Sequence, residues 1–177
     1  EVTARVVGRE TEADKIDAEV RAEMKHTFLG DRLCACLIGS APTGPEARAF
    51  ITDCFGVILI EGYGTTEIGG VFSVQNKIDR RFVTDYKLKD VPELGYYTTD
   101  KPYPRGELLA KATIASPGYY NGAEATAALF DEDGWQQTGD VVEERGPDEI
   151  VWIDRKNNVL KLSQAEFVGI GPLEGIF

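Results

Sequence analysis

The sequence predicts an α/β fold: a parallel strand–helix–strand unit followed by an antiparallel, β-rich and distorted barrel-like part. Three observations carry that reading. Two short apolar runs, "RLCACLI" (32–38) and "VILI" (57–60), have the look of buried strands. Between them, Ala47, Phe50, Ile51 and Cys54 recur at i, i+3, i+4 and i+7, the spacing of one helical face. Beyond residue 70, segments of alternating polarity are separated by the turns "PYPRG", "RGPD" and "RKNN", the texture of hairpins.

The elements follow in order. Residues from about 10 to 29 read as a helix, with Ile16, Val20, Met24 and Phe28 four apart and Gly30 as its stop. After the first strand and the loop "GSAPTG", Pro45 suits a first helical position, and Gly56 closes the second helix. A helix joining two strands implies a right-handed crossover and parallel pairing. "RFVTDYKLKDV" (81–91) alternates Phe82, Thr84, Tyr86 and Leu88 against Val83, Asp85, Lys87 and Lys89, a half-buried strand pattern. "GELLAKA" (106–112) is a further strand, and "NGAEATAALF" (121–130) a short helix that Asn121 is placed to cap. "VVEE", "EIVWIDR" and "VLKLS" complete the antiparallel part. The organisation is thus α/β over 1–70, β-rich over 71–154, and a new start over 155–177.

Composition narrows the function classes. The 177 residues suit one domain or two small lobes. A formal net charge of −11 argues against nucleic acid and anionic membranes as partners, since both need a basic footprint. A small anion held by amides and a metal stays open. No run approaches a membrane span and "EVTARVVGRE" lacks signal-peptide character, so a cytoplasmic protein is expected. Cys34 and Cys36 share a face of the predicted strand, which reads as core thiols in a reducing compartment. His26 reads as a surface residue.

In parallel sheets ligands gather beyond the carboxyl ends of strands. "GSAP" (39–42) leaves the first strand and "EGYGTTEIGG" (61–70) the second, so Ser40 and the group from Tyr63 to Glu67 are expected to face one crevice. "GWQQTGD" (134–140) brings Asp140 to the mouth of a strand, and "IDRKNNVLKLSQAEF" (153–167) carries Asp154, Arg155 and Lys161. Each stretch also has an ordinary reading. Tyr63 is a half-buried aromatic, Thr65 and Thr66 are turn formers, Glu67 is a helix-start residue or a surface charge, the Thr-Gly-Asp tripeptide is a turn, and Lys161 is an exposed strand lysine.

Taken in order, "YGTTE", "TGD" and "DRKNNVLKLS" resemble the tyrosine, ribose-binding and hinge motifs of the acyl-adenylate-forming superfamily. The stretches "DYKLKDVPELGYYTTDKPYPRGELL", "PGYYNGAEATAALFDEDGWQQTGDVV" and "RKNNVLKLSQAEFV" are similar to the adenylation domain of carboxylic acid reductases. The resemblance implies a fragment of an adenylate-forming enzyme core that binds ATP/AMP and Mg²⁺. In it Tyr63 would offer its ring to adenine, Gly64 would admit close backbone approach, and Thr66 with Thr65 would meet the α-phosphate. Glu67 would ligate Mg²⁺, which prefers carboxylate oxygens and retains waters. Asp140 would accept the ribose diol with Arg155 beside it, and Ser40 would line the nucleotide or acyl pocket. Thr66 and Glu67 are the implied catalytic pair.

The same resemblance implies subdomains: 1–70 the end of the core's α/β part, 71–154 its β-rich part, 155–177 the hinge and the start of a lid. It implies a parent that converts a carboxylic acid to an aldehyde with ATP, a phosphopantetheine carrier and NADPH, the last two belonging to the full-length protein alone. The family's phosphate loop and lid lysine have no counterpart here. The chain alone is therefore expected to be inactive, with the N-terminal core and C-terminal lid of the same protein as its partners. Ala165 replaces a glycine of the family's hinge motif, which adds about 1 kcal/mol of strain if φ there is positive. Two alternatives stand beside this reading: a fatty-acyl-CoA or acyl-AMP ligase, and a non-catalytic nucleotide-binding or scaffold fragment.

Overall fold

The structure, a computed structural model, describes residues 10–40, 43–157, 159–161 and 167–169. Ala165 lies outside them. The chain packs as two compact units, residues 1–38 with 43–60, and residues 39–42 with 61–177.

In the first unit, helix α1 (Glu10–Phe28) is followed by strand β1 (Ala35–Ile38), helix α2 (Pro45–Phe55) and the start of strand β2 (Ile58–Tyr63). Proline at the first turn costs no hydrogen bond, and Gly56 closes α2 with a left-handed φ of 58° while donating its N–H to Thr52 O at 2.9 Å. The two apolar runs are not buried on both faces. Leu37 is 68% exposed and Ile58 66%, whereas Val57 and Leu59 are buried. One face of this strand pair is therefore apolar and open, and the expected stripe of α1 is open too at Val20 and Phe28. The thiols are corrected accordingly. Cys34 precedes β1 and is exposed, Cys36 is partly buried, and only Cys54 on α2 lies in the core. His26 is at the surface as expected, 2.9 Å from Asp31.

The second unit contains β3 (Ser73–Val74), β4 (Lys77–Ile78), β5 (Val83–Lys89), β6 (Arg105–Ala112), helix α3 (Ala123–Leu129), β7 (Gln136–Gly146), β8 (Glu149–Arg155), β9 (Val159–Lys161) and β10 (Phe167–Gly169). Strand order in the main sheet is β1-β2-β3-β4-β8-β7-β6-β5. From β2 onward every neighbouring pair in that order is antiparallel, and the sheet is mixed. The barrel-like expectation is corrected: the sheet stays open, with β1 and β5 at its ends. Among the described residues β9 pairs with β10 and not with β8, so "VLKLS" is no third arm of the hairpin.

Burial on both faces of β6 explains its continuous apolar reading. Leu108 and Ala110 join a core with Ile68, Phe72, Ile78, Val83, Val142 and Ile150, while Leu109 and Glu107 are buried on the other face. In β5 a bulge between Val83 and Asp85 reverses the alternation. Val83 thereby enters the same core as Tyr86 and Leu88, contrary to the simple period-two pattern. Asn121 is not the helix cap. Gly122 holds that position, and Asn121 takes a left-handed φ of 53° in the preceding turn.

No helix among the described residues is long and apolar enough to cross a membrane. Truncating Leu108 to Ala should cost about 2–5 kcal/mol in urea unfolding followed by tryptophan fluorescence. Tyr120→Ala, at a residue almost wholly exposed, should stay within about 0.5 kcal/mol of the parent in the same assay.

Candidate functional site

The strand β2 runs on through Glu61 and Gly62 to Tyr63, and the chain folds back at once. A Cβ at Gly64 would lie 1.4 Å from the Gly70 carbonyl oxygen and 3.0 Å from the Phe72 nitrogen, so only glycine fits. The close approach expected at Gly64 is thus made by the chain itself. Phe72 N–H donates to Tyr63 O at 2.7 Å, and Gly70 N–H to Thr65 O at 2.9 Å. Thr65 also accepts the Ile68 N–H on its Oγ1 at 3.2 Å, while Thr66 is exposed on the turn.

Residues 114–119 form a wall against this turn. Ser116 N–H donates to Glu67 O at 2.7 Å, and Tyr119 Oη donates to Glu67 Oε1 at 2.7 Å. The Tyr119 hydroxyl, first, and the backbone N–H of Glu67 itself hold the Glu67 carboxyl below its usual range, against partial burial, with smaller help from Thr65 and Arg155. The same bond raises the Tyr119 phenol.

Asp140 is 5% exposed and sits in a local distortion of β7. Glu107 pairs with Val141 and Leu109 with Gln137, so Thr138, Gly139 and Asp140 together face Leu108 alone. The Thr-Gly-Asp tripeptide is a bulge inside a continuous strand, not a turn at its mouth. Gly139 supplies the left-handed φ of 70°. Thr138 Oγ1 donates to Leu108 O at 2.9 Å and accepts the Asp140 N–H at 3.0 Å. Lys156 N–H closes the other side on Gly139 O at 2.8 Å.

The carboxylate is met by two hydrogen-bond donors and one guanidinium. Tyr63 Oη donates to Oδ2 at 2.8 Å, Trp152 Nε1 donates to Oδ1 at 3.3 Å, and Arg155 Nε lies 3.7 Å from Oδ1. Burial, then the Asp140 charge and hydrogen bond, hold the Tyr63 phenol well above its ordinary range. The Tyr63 ring also packs edge-on to Phe72, centroids 6.0 Å apart.

Tyr63, Asp140 and Arg155 are therefore brought into contact, and Gly64, Thr65, Thr66 and Glu67 form the adjoining turn. Arg155 also acts electrostatically on Glu67. Ser40 is exposed with φ 74°, and its hydroxyl bonds to none of Tyr63, Glu67 or Asp140. The two loops do leave adjacent strands closely: a Cβ at Gly39 would lie 2.8 Å from Gly62 O. Trp152, Thr138 and Tyr119 were not singled out from sequence. Trp152 escaped because a strand period puts it on the opposite face from Arg155. Here Asp140 pairs with Arg155 but Val142 with Trp152, a shift that makes Ile153 the extra residue and brings both side chains to Asp140. No group of three or more His, Cys, Asp or Glu residues suited to a metal occurs among the described residues.

No protein-family model matches the chain. It is 49% identical over 167 residues to the carboxylic acid reductase of Mycobacterium marinum, covering 93% of this chain and 14% of that protein. The solved adenylation domain of the Segniliparus rugosus carboxylic acid reductase, in complex with AMP and a co-purified carboxylic acid, superposes with a TM-score of 0.82 at 47% identity. That match covers 93% of this chain and 27% of that one. This chain belongs with the adenylation domains of carboxylic acid reductases. Long chain acyl-CoA synthetase 7 of Arabidopsis thaliana, at 36% identity over 84% of the chain, gives the ligase alternative its place as wider context for the carboxylic acid reductase match. The chain spans about one seventh of the carboxylic acid reductase and about a quarter of the solved adenylation domain.

The Tyr63 phenol yields a pH prediction. Its folded value lies above the unfolded value near 10, so its contribution to stability is complete below about pH 10 and is lost as pH rises toward the folded value. Tyr63→Phe should make the decline of stability between pH 9 and 11 (roughly the span around that unfolded value) shallower in urea melts. Tyr86, pushed up to about 12 by burial and its bond to Glu144, should sustain the remaining slope.

Proposed function

We propose that the chain is part of an ATP-dependent domain that activates a carboxylic acid as its acyl-adenylate, the first step of a carboxylic acid reductase. The observation that best supports this is the buried Asp140 carboxylate, held by Tyr63 and Trp152 beside Arg155, next to the glycine-bound turn carrying Thr66 and Glu67. In this reading 1–70 belongs to the α/β part of the adenylation core, 71–154 to its β-rich part, and 155–177 to the hinge region. The AMP of the related solved domain supports ATP as substrate, and its bound acid supports a small carboxylic acid as the second one.

The substrate carboxylate oxygen attacks the α-phosphorus of ATP, forming the acyl–phosphate bond as the bond to pyrophosphate breaks. Asp140 binds the ribose hydroxyls through the lone pairs left by its protein donors, with Arg155 steadying the sugar. Tyr63 places its ring by the adenine, Gly64 keeps side-chain bulk away, and Ser40 lines the nucleotide or acyl pocket. Thr66, exposed on the turn, donates its hydroxyl to the α-phosphate with Thr65 behind it.

The donor set fits Mg²⁺. A lone carboxylate without other protein ligands suits an ion that keeps waters and binds chiefly through substrate phosphates, and Glu67 is ionised and held by Tyr119 on one oxygen only. Bound there, Mg²⁺ would offset charge on the phosphoryl oxygens. Glu67 is the residue that would hold it. In the parent protein the acyl group would pass to a phosphopantetheine thiol and be reduced with NADPH to an aldehyde.

Titration of the 177-residue chain with AMP or ATP should give a dissociation constant in the millimolar to high-micromolar range, about −4 to −6 kcal/mol, strengthened by Mg²⁺ for ATP. Absence of heat at high nucleotide would remove the nucleotide site from this chain. In an adenylation-competent parent protein, Glu67→Gln should slow pyrophosphate release at least about tenfold while changing acid affinity little. Unchanged release would show that Glu67 holds no metal.

A further inference from the structure

We propose that Trp152 is a positioning residue for nucleoside recognition. Its indole N–H fixes Oδ1 of Asp140 while Tyr63 fixes Oδ2, so the carboxylate offers its remaining lone pairs to a vicinal diol in one set orientation. The inference rests on the reading of Asp140 as the ribose acceptor.

A carboxylate has two acceptor sites on each oxygen and a broad terminal torsion, so one hydrogen bond leaves its plane free to turn. Two donors on different oxygens remove that freedom. Tyr63 approaches from the end of β2 and Trp152 from β8, and they bond to different oxygens at 2.8 and 3.3 Å. The third group near the carboxylate, the Arg155 cation, is poorly suited to this task. The Arg155 side chain is 55% exposed and its Nε stays 3.7 Å away, so it supplies charge more than orientation.

The fold goes out of its way to present this indole. Residues 152 and 155 of a regular strand point to opposite faces. The extra residue Ile153 in the β8 pairing brings both to the Asp140 face, the kind of re-aiming that bulges beside functional sites provide. An indole N–H is a donor only, so it occupies one lone pair of Oδ1 and leaves the others to accept from the ribose hydroxyls. The backbone under the carboxylate is fixed separately, by Thr138 against Leu108 and by Lys156 against Gly139, so Trp152 acts on the side chain and not on the loop.

The test compares AMP with 2′,3′-dideoxy-AMP on the 177-residue chain by equilibrium dialysis. Wild type should prefer AMP, and Asp140→Asn should erase the preference. Trp152→Phe should weaken AMP about five- to tenfold and leave the dideoxy nucleotide within about twofold, the net worth of one ordinary hydrogen bond. An unchanged AMP preference in Trp152→Phe, or equal weakening of both nucleotides, would overturn the inference while sparing the ribose reading. An unchanged preference in Asp140→Asn would overturn both. A measurement independent of that variant's folding uses Trp135→Phe, which leaves Trp152 as the sole tryptophan. Trp152 emission should then shift on saturation with AMP and not with the dideoxy nucleotide. The same response to both, or to neither, counts against the proposal.

Discussion

A carboxylate removed from water must be met by donors or charge, and Asp140 imposes that requirement on four segments of the second unit. The end of β2 supplies the Tyr63 hydroxyl, and β8 supplies the Trp152 indole and the Arg155 guanidinium. Thr138 and Gly139 set the backbone beneath it by bulging out of the β7 ladder against a single residue of β6. Removing any one donor leaves charge in a dry place with a partner missing, which costs more than the bond itself is worth. The β-rich part therefore cannot be understood as a sheet that happens to carry a site. Its irregularities are where the site is made.

The adjoining turn answers a different constraint, steric instead of electrostatic. Gly64 faces the Gly70 carbonyl at a separation that excludes any side chain, and a Cβ at Gly69 would meet Ile114 O at 2.4 Å. The segment 114–119 then fastens onto Glu67 through both its backbone and its carboxylate. Thr66 is left exposed at the tip and Glu67 keeps one oxygen without a tyrosine partner. A rigid turn with its polar groups outward is suited to the phosphate and hydrated cation proposed for Thr66 and Glu67.

Much of this was legible in the sequence, and what was not has a common cause. The helix limits at Pro45 and Gly56, the central strand "GELLAKA" and the β7–β8 hairpin follow from local chemistry that tertiary packing did not overrule. Tyr63, Asp140 and Arg155 were named because their motifs occur in order, and they meet in space. Trp152 was missed because period-two reasoning cannot see an inserted residue, and Val83 was placed on the wrong face of β5 for the same reason. Tyr119 lay in a stretch with no chemical signature of its own; only the fold brings its hydroxyl to a residue 52 positions earlier. The burial of β1 and the role of Cys34 were overestimated because an apolar run says nothing about whether neighbours cover it.

The closeness of Gly64 to Gly70 and of Gly69 to Ile114 also bears on how this region is to be re-engineered. Loop exchange between related enzymes usually treats a turn as a replaceable insert between two anchors. Here the insert touches its own anchors and a distant wall at backbone distance, so a one-residue change in length leaves no room to readjust. A chimaera that transfers 61–72 should carry 114–119 from the same donor, as one cassette, with Gly64 and Gly69 kept.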